Sequence, residues 1–420
     1  MTTTKNNEHK KLNFSSEREQ SQACLNSAEH EKNQGRKVLN VPNLRFKEFQ
    51  GEWEYFLIND VCSEFKSGKN IKADSVFECG EYPVYGGNGL RGYTSSYNHE
   101  GSYVLIGRQG ALCGNVRSVY GKTYITEHAI AVAGNEKSNT SFLHYLFLKM
   151  NLGQYSDQSA QPGLAVNKLL KLKVALPIIS EQTKIAKLLS LLDERISTQS
   201  KIIDKLQSLI KGLEDNLLDN PLWEKTYLRS FMQFFSTNSL SWEQLSYKEG
   251  AIRNLHYGLI HGFQTRGINS ASLPMIKNEA IPKQYTLCQV GDVAFADASE
   301  DTGEIAKSVE FVDTIEGDTI CGLHTIHGRD IKNRTVVGFK GFAFNSRYFH
   351  NQIKRLAQGT KVFSITANNL SSCYVYLPEM DTQTVIVRLL KSYEEQLIID
   401  RMIFKQYEKQ KQYLLRQMFI

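Results

Sequence analysis

The chain has 420 residues, 41% of them apolar and 22% charged, with a formal net charge of +6. That supplies material for more than one hydrophobic core and excludes wholesale disorder. No uncharged apolar run reaches the length of about 18 residues that a membrane-spanning helix needs, and the opening MTTTKNNEHKKLNF lacks the apolar stretch of a secretory signal. The seven cysteines are an odd, scattered set without a CxxC pair. They argue against a disulfide framework or a four-cysteine zinc site, and a reducing, cytoplasmic setting is expected. The mild basic excess permits nucleic-acid binding without requiring it.

Residues 1–40 are polar and poor in aliphatics, and a disordered tail is expected there. A first globular segment is expected over 41–179, starting at Val41-Pro42-Asn43-Leu44-Arg45-Phe46. Its short apolar runs, YPVYGGNG (82–89), SYVLIGRQGALCG (102–114) and KTYITEHAIAVAG (122–134), are broken by glycine and read as strands with tight turns. Ser141–Leu152 reads as a helix. After Leu176-Pro177 the pattern changes, with Ser180 as the expected N-cap of a helix over 180–220. Ile185, Leu189, Leu192, Ile196, Ile203, Leu206, Ile210, Leu213 and Leu217, with Gln199 among them, step by four and three. That alternation is a coiled-coil seam. It stops at Asp219-Asn220-Pro221. A second globular segment (221–380) and a second helix (381–420) follow.

An internal repeat organises the chain. Leu176-Pro177, Gln182-Thr183, Ile185 and Leu188-Leu189 recur as Leu377-Pro378, Gln383-Thr384, Ile386 and Leu389-Leu390, all 201 residues on. Asp381 takes the place of Ser180. The second seam comprises Ile386, Leu390, Tyr393, Leu397, Asp400, Phe404, Tyr407, Lys411, Leu414 and Met418, with Asp400 on the counterpart of Gln199. Asn167-x-Leu169 matches Asn368-x-Leu370, and Trp53-Glu54 is matched to Trp242-Glu243. A seam of about 33 residues spans about 50 Å and cannot leave its apolar stripe in water. Pairing the two copies antiparallel about a pseudo-two-fold axis is the economical arrangement; a parallel pair or an intermolecular coil is the alternative. Two different globular modules on a spacer suit a bipartite linear target, such as two DNA half-sites, or a protein with two docking points.

Gly87-Asn88-Gly89-Leu90-Arg91-Gly92 fits GxGxxG, but turn-like sequence follows where a dinucleotide site needs a helix, so a reading loop is expected. Asp60, Glu64 and Lys66 mimic a nuclease set, yet lie close together as surface charges do. Cys321-x2-His324-x2-His327 lacks a second ligand pair, so a polar-contact role is expected and no metal site. No GxxxxGK[ST], GxSxG, HExxH or methyl-transfer Asn/Asp-Pro-Pro-Tyr/Phe motif occurs, and no catalytic centre is expected. What remains is a set of polar, aromatic and basic residues on Gly-rich loops. Tyr85, Asn88, Arg91, Tyr93, Arg108, Gln109 and Lys122 stand in the first half. Arg253, His256, Tyr257, Gln264, Arg266, Arg347 and Lys361 stand in the second. Such side chains read base edges in the major groove or hold phosphates.

Over about residues 41–420 the chain resembles the specificity subunit of type I restriction–modification systems. The resemblance rests on Val41-Pro42-x-Leu44-Arg45-Phe46 with Gly51-Glu52-Trp53, and on Tyr85-Gly86-Gly87-Asn88-Gly89. It rests also on Ile106-Gly107-Arg108-x-Gly110-x3-Gly114-Asn115 and on the two copies of Leu-Pro followed by a long helix. It implies two target-recognition domains of mixed α/β (α+β) fold, held apart by two long antiparallel helices. Each domain would read one half of a split double-stranded DNA sequence. The helices would set the gap and dock two methyltransferase subunits. A third, motor and nuclease subunit would join the complex. S-adenosylmethionine, ATP and Mg²⁺ would then belong to the partners, and this chain would be non-catalytic, with no small-molecule substrate and no membrane contact. Residues 1–40 have no counterpart in the family. Asp400 and Lys411 interrupt the second seam and are read as facing a partner subunit. A coiled-coil adaptor carrying two peptide-binding modules is the alternative, and a metal nuclease built on Asp60, Glu64 and Lys66 is a third reading.

Overall fold

A computed structural model describes residues 39–156, 162–263, 266–313, 315 and 317–420, so the expected tail lies, but for its last two residues, outside the described residues. The chain forms two compact units, one reaching to residue 192 and including 410–420, the other spanning 193–409. Among the described residues no helix is long and apolar enough to cross a membrane.

In chain order the first unit contains β1 (Glu54–Leu57), α1 (Ile58–Val61), β2 (Cys62–Ser67), β3 (Tyr82–Gly86), β4 (Gly89–Thr94), β5 (His99–Gly107), β6 (Val116–Ile125) and β7 (Ala129–Gly134). Then come α2 (Thr140–Met150), α3 (Val166–Leu169), β8 (Lys173–Leu176) and the start of α4 (Ile179–Leu218). A six-stranded sheet runs β2-β7-β5-β6-β3-β4. β3 lies parallel to β6 and the other neighbours are antiparallel. Strand β7, AIAVAG, is buried along most of its length because α2 covers one face with Phe142 and Phe147. β1 pairs with β8, Glu54 opposite Leu176, so the segment enters and leaves at one place.

The opening motif has a mechanical role in this unit. Arg45 donates Nε and Nη2 to the two carboxylate oxygens of fully buried Glu181, both at 2.7 Å, in the first turn of α4. A bidentate pair is the geometry in which such burial is tolerated. Leu44 N–H donates to the Gln417 carbonyl at 2.8 Å. Trp53 packs edge-on against Phe142 and Phe419. Ile185 and Leu189 share that core with Leu414, Met418 and Phe419.

The second unit contains β9 (Glu224–Tyr227), β10 (Met232–Phe235), β11 (Leu245–Ser246), β12 (Arg253–Leu255), α5 (Tyr257–Gly262), β13 (Gly267–Ile268), β14 (Met275–Ile276), β15 (Val293–Ala296) and β16 (Ala298–Ser299). It continues with β17 (Ser308–Phe311), β18 (Thr319–Cys321), β19 (Thr325–Asp330), α6 (Phe339–Ala343), α7 (Arg347–Leu356), β20 (Phe363–Ser364), α8 (Ala367–Ser372), β21 (Tyr374–Leu377) and α9 (Met380–Gln417). Its main sheet runs β10-β19-β15-β17-β13, beside a second sheet β11-β14-β12-β18.

The order β10-β19-β15-β17 repeats β2-β7-β5-β6, and β9 pairs with β21 as β1 does with β8, Glu224 now opposite Leu377. The counterpart of Trp53-Glu54 is therefore Trp223-Glu224, not Trp242-Glu243, which opens a short 3-10 turn. The extra strands β11, β12 and β14 lengthen the second half, so that 154 residues separate Trp223 from Leu377 against 123 from Trp53 to Leu176. The Asn-x-Leu match is structural: Leu169 on α3 and Leu370 on α8 are both buried just before the last strand.

Each long helix starts one residue earlier than expected, so Ser180 and Asp381 lie in the first turn rather than capping it. The repeated glutamines do the fastening. Gln182 donates to the carbonyls of Pro177 and Lys137 at 2.8 and 2.9 Å and accepts from Asn139 N–H at 2.8 Å. Gln383 does the same with Pro378, Arg334 and Val336 at 2.9, 3.0 and 3.0 Å. Both are buried, where a satisfied amide adds stability and an unsatisfied one removes it.

Within the second unit α4 and α9 run antiparallel, with Leu213, Leu217 and Leu218 sharing a core with Ile386 and Leu390. Every seam residue of both helices is buried or half-buried, whereas Ile202, Leu209, Ile399 and Met402 are exposed. Buried Asp400 faces the other helix and not a partner: Gln199 Nε2 donates to its Oδ1 at 2.7 Å and to its carbonyl at 3.2 Å. The two are 201 residues apart, the repeat offset itself. In a two-fold arrangement only a residue on the axis meets its own mate, so the pseudo-axis of the helix pair passes here. Lys411 sits half-buried in the first unit with Nζ 5.8 Å from the Tyr145 ring centre. Substituting Gln199→Leu leaves the buried carboxylate with only the Gln396 amide, which donates to its Oδ2 at 3.1 Å, and a loss of about 1–3 kcal/mol is expected in urea unfolding of the full chain. The double variant Gln199→Leu/Asp400→Leu recovers most of it, because the polar demand goes with its partner.

Candidate nucleic-acid interface

In the first unit β3 and β4 form a hairpin with Gly86 opposite Gly89. The GxGxxG string is thus a hairpin turn with strand on both sides, and no helix N-terminus follows to hold a pyrophosphate. A Cβ at Gly87 would lie 2.7 Å from the His128 carbonyl oxygen and 3.3 Å from Gly107 Cα. Only glycine lets this turn close onto the end of β5 and the β6–β7 turn. Arg108 N–H donates to the same His128 carbonyl at 2.9 Å. The Arg108 guanidinium donates to Ser67 Oγ at 3.1 Å, and Gln109 Oε1 lies 3.3 Å from His128 Nδ1. A Cβ at Gly89 would stand 3.2 Å from the Arg117 guanidinium carbon.

The fold therefore gathers Asn88, Arg91, Arg108 and Gln109 on adjoining turns, and adds Arg117 and His128, which sequence reasoning missed. Among the described residues Arg91 and Arg117 have no acidic partner, and both are exposed. Their charge is free for an external anion. Tyr85 is half-buried against Leu105, Val119 and Ile125, and Tyr93 exchanges main-chain bonds with Phe77. Lys122 belongs to another spot on β6, with Nζ 4.9 Å from the Tyr97 ring centre.

The second unit distributes its candidates differently. Arg253 donates Nη1 to the Ala271 carbonyl at 3.0 Å. Arg266 is ion-paired at 2.9 Å with Glu214 of α4 and at 2.9 Å with Glu394 of α9, so its charge is committed to the helices. His256 is buried and caps α5 by accepting from Gly258 N–H at 3.2 Å. Burial, and then neighbouring His324, lowers its pKa, which keeps it a neutral acceptor. Trp242, His256, Tyr257 and His324 form a row, with ring centres 4.5, 4.8 and 5.2 Å apart, and the row is exposed at both ends. Arg347 and Lys361 are exposed, Arg347 lying 3.8 Å from Asp215. Gln264 lies outside the described residues.

The acidic set in the first unit does not converge. Glu64 is bound by Lys66 and His99, each at 3.1 Å, and by the Tyr103 hydroxyl at 3.2 Å, while Asp60 is exposed on α1. Burial raises the Glu64 pKa, but the hydrogen bonds from Lys66 and His99 outweigh it and hold the carboxyl below its usual range.

Residues 50–208 match the family described as type I restriction modification DNA specificity domain. The chain is 42% identical over 154 residues to the EcoprrI type I restriction enzyme specificity subunit of Escherichia coli, a match covering 36% of this chain and 38% of that protein. The chain thus spans about two-fifths of that relative's length. It is 25% identical over 408 residues to the MjaVIII type I restriction enzyme specificity subunit of Methanocaldococcus jannaschii, covering 88% and 94%. The solved type I restriction–modification S subunit from M. genitalium has the same fold, with a TM-score of 0.62 at 15% identity over 90% of this chain and 99% of that one. Residues 50–208 are thus similar to a type I restriction modification DNA specificity domain, and the chain shares the fold of a solved S subunit.

Proposed function

We propose that this chain is the non-catalytic DNA-reading subunit of a cytoplasmic type I restriction–modification complex, recognising a split duplex sequence with one globular module per half. The observation that carries the reading is the cluster of Asn88, Arg91, Arg108, Gln109 and Arg117 in the first unit, in which, among the described residues, Arg91 and Arg117 form no ion pair with an acidic side chain. Arginine paired with guanine and asparagine or glutamine paired with adenine read base edges, and unpaired arginines hold phosphates. In the second module the exposed row from Trp242 to His324 is the counterpart we assign to DNA. The paired helices set the gap between the half-sites. Exposed Ile202, Leu209, Ile399 and Met402 on them offer apolar surface for two methyltransferase subunits. S-adenosylmethionine, ATP and Mg²⁺ act on those subunits and on the motor subunit.

The test is selection from a random duplex pool by the full chain co-expressed with a methyltransferase subunit, at two salt concentrations. A split motif of fixed gap, with affinity falling steeply in salt, is expected; no enrichment sinks the proposal and favours a peptide-binding adaptor. Arg117→Ala or Arg91→Ala is expected to weaken binding of the selected duplex and to reduce the salt slope by about 1 if the side chain holds a phosphate. Inserting one heptad into each helix beside Gln199 and Asp400 adds about 10 Å, which is about three base pairs of gap. Footprints of that variant are expected to keep both half-sites and change only their spacing.

A further inference from the structure

Three buried ligand-type side chains meet in the second unit, and none of them is among the residues assigned to DNA. Cys288 lies on the segment leading to β15, Cys321 ends β18 and His327 lies on β19. Among the described residues they form the only group of three or more such side chains whose ligand atoms all lie within 4.8 Å of one another. The run Cys321-x2-His324-x2-His327 pointed to this place with the wrong third member. His324 turns outward to Asp297 at 3.0 Å, and Cys288 enters from 33 residues upstream.

The spacing is that of shared coordination. The two sulfurs are 3.6 Å apart. Two thiolates on one tetrahedral zinc ion, each about 2.3 Å from it, stand about 3.8 Å from each other, whereas a disulfide closes to about 2.05 Å. The imidazole is held through one ring nitrogen. His327 Nε2 lies 2.7 Å from Asp292 Oδ2, and Arg329 grips that buried carboxylate at 2.8 and 2.7 Å. A carboxylate paired in this way only accepts, so Nε2 donates and Nδ1 carries the lone pair. A histidine whose other nitrogen is fixed by a carboxylate is the usual arrangement around a bound metal. A polar cleft of about 300 Å³, lined by Ser236, Thr237, Asn238 and Thr286, opens onto Cys321 and His327. It provides an entry path and room for a water as fourth ligand.

We propose that Cys288, Cys321 and His327 bind a zinc-class divalent cation, with water from the cleft completing a tetrahedron. Both thiols lose their protons to solvent on binding. The ion joins β18 of one sheet to β19 of the other, two strands linked otherwise by the short turn at Gly322–His324. The site is structural and independent of the DNA-reading proposal.

The experiment uses the full chain, reduced and stripped with chelator, titrated with cobalt(II) and then zinc. One equivalent of cobalt is expected to release two protons and give thiolate charge-transfer and tetrahedral visible bands; zinc then displaces the cobalt without further proton release and raises Tm. Cys321→Ser and Cys288→Ser are expected to lose the charge-transfer band, and Asp292→Asn to weaken zinc binding about 10–100-fold. Should the serine variants not fold, the stoichiometry and proton release of the unmodified chain decide. Absence of the bands in the folded chain, their survival in Cys321→Ser, or a mass showing a Cys288–Cys321 disulfide in the native chain overturns the proposal.

Discussion

A helix of 40 residues with one apolar stripe, such as α4, is not a stable object until something covers the stripe. Here the cover is α9, a second edition of the same sequence plan with 38 residues. The first turns of α4 share a core with the last residues of the chain, and its last turns share another with the first turns of α9. Each globular unit is assembled around one such meeting. Trp53, Phe142 and Phe419 close one core, and Leu218, Phe231 and Leu390 close the other. Removing the seam would take with it the surface on which both sheets are founded.

An apolar seam alone fixes association but leaves its register loose, since leucine packs against leucine after a slip of one heptad. Gln199 against Asp400 removes that freedom, because a slipped pair would bury the Gln199 amide without this partner and leave one oxygen of the Asp400 carboxylate without its donor. The helix starts are pinned by other means, through Gln182, Gln383 and the Arg45–Glu181 pair. Polar contacts of this kind add modest net stability. Their contribution here is to make one alignment much better than its neighbours.

The long helices and their duplication were legible because a four-three rhythm sustained over many turns is produced by little else than a long paired helix. The strands of the first unit were legible as glycine-bounded apolar runs. Much of the second unit was not, since β11, β13, β14, β16 and β20 are two residues each and have no period to read. The misplaced Trp242-Glu243 match shows the limit: the same dipeptide occurs twice in the second half, and only the pairing of Glu224 with Leu377 tells which copy is homologous in position. Partner choice is also invisible in a string. Arg117 and Arg266 are equal as letters, yet one is exposed without an acidic partner among the described residues and the other is held between two glutamates. Asp400 looked like an interruption because its mate lies 201 residues away.

The strand pairs β1·β8 and β9·β21 have a bearing on how such a chain can change over generations. Each pair sets the entrance and exit of its module side by side, so whatever lies between is a closed loop as seen from the helices. The entropy of closing a loop grows only with the logarithm of its length. Going from 123 to 154 residues between the tryptophan and the Leu-Pro therefore costs about 0.2 kcal/mol. The frame is nearly indifferent to what it encloses. Insertions such as β11, β12 and β14 and wholesale replacement of a module can accumulate inside the loop, while the helix pair keeps its alignment.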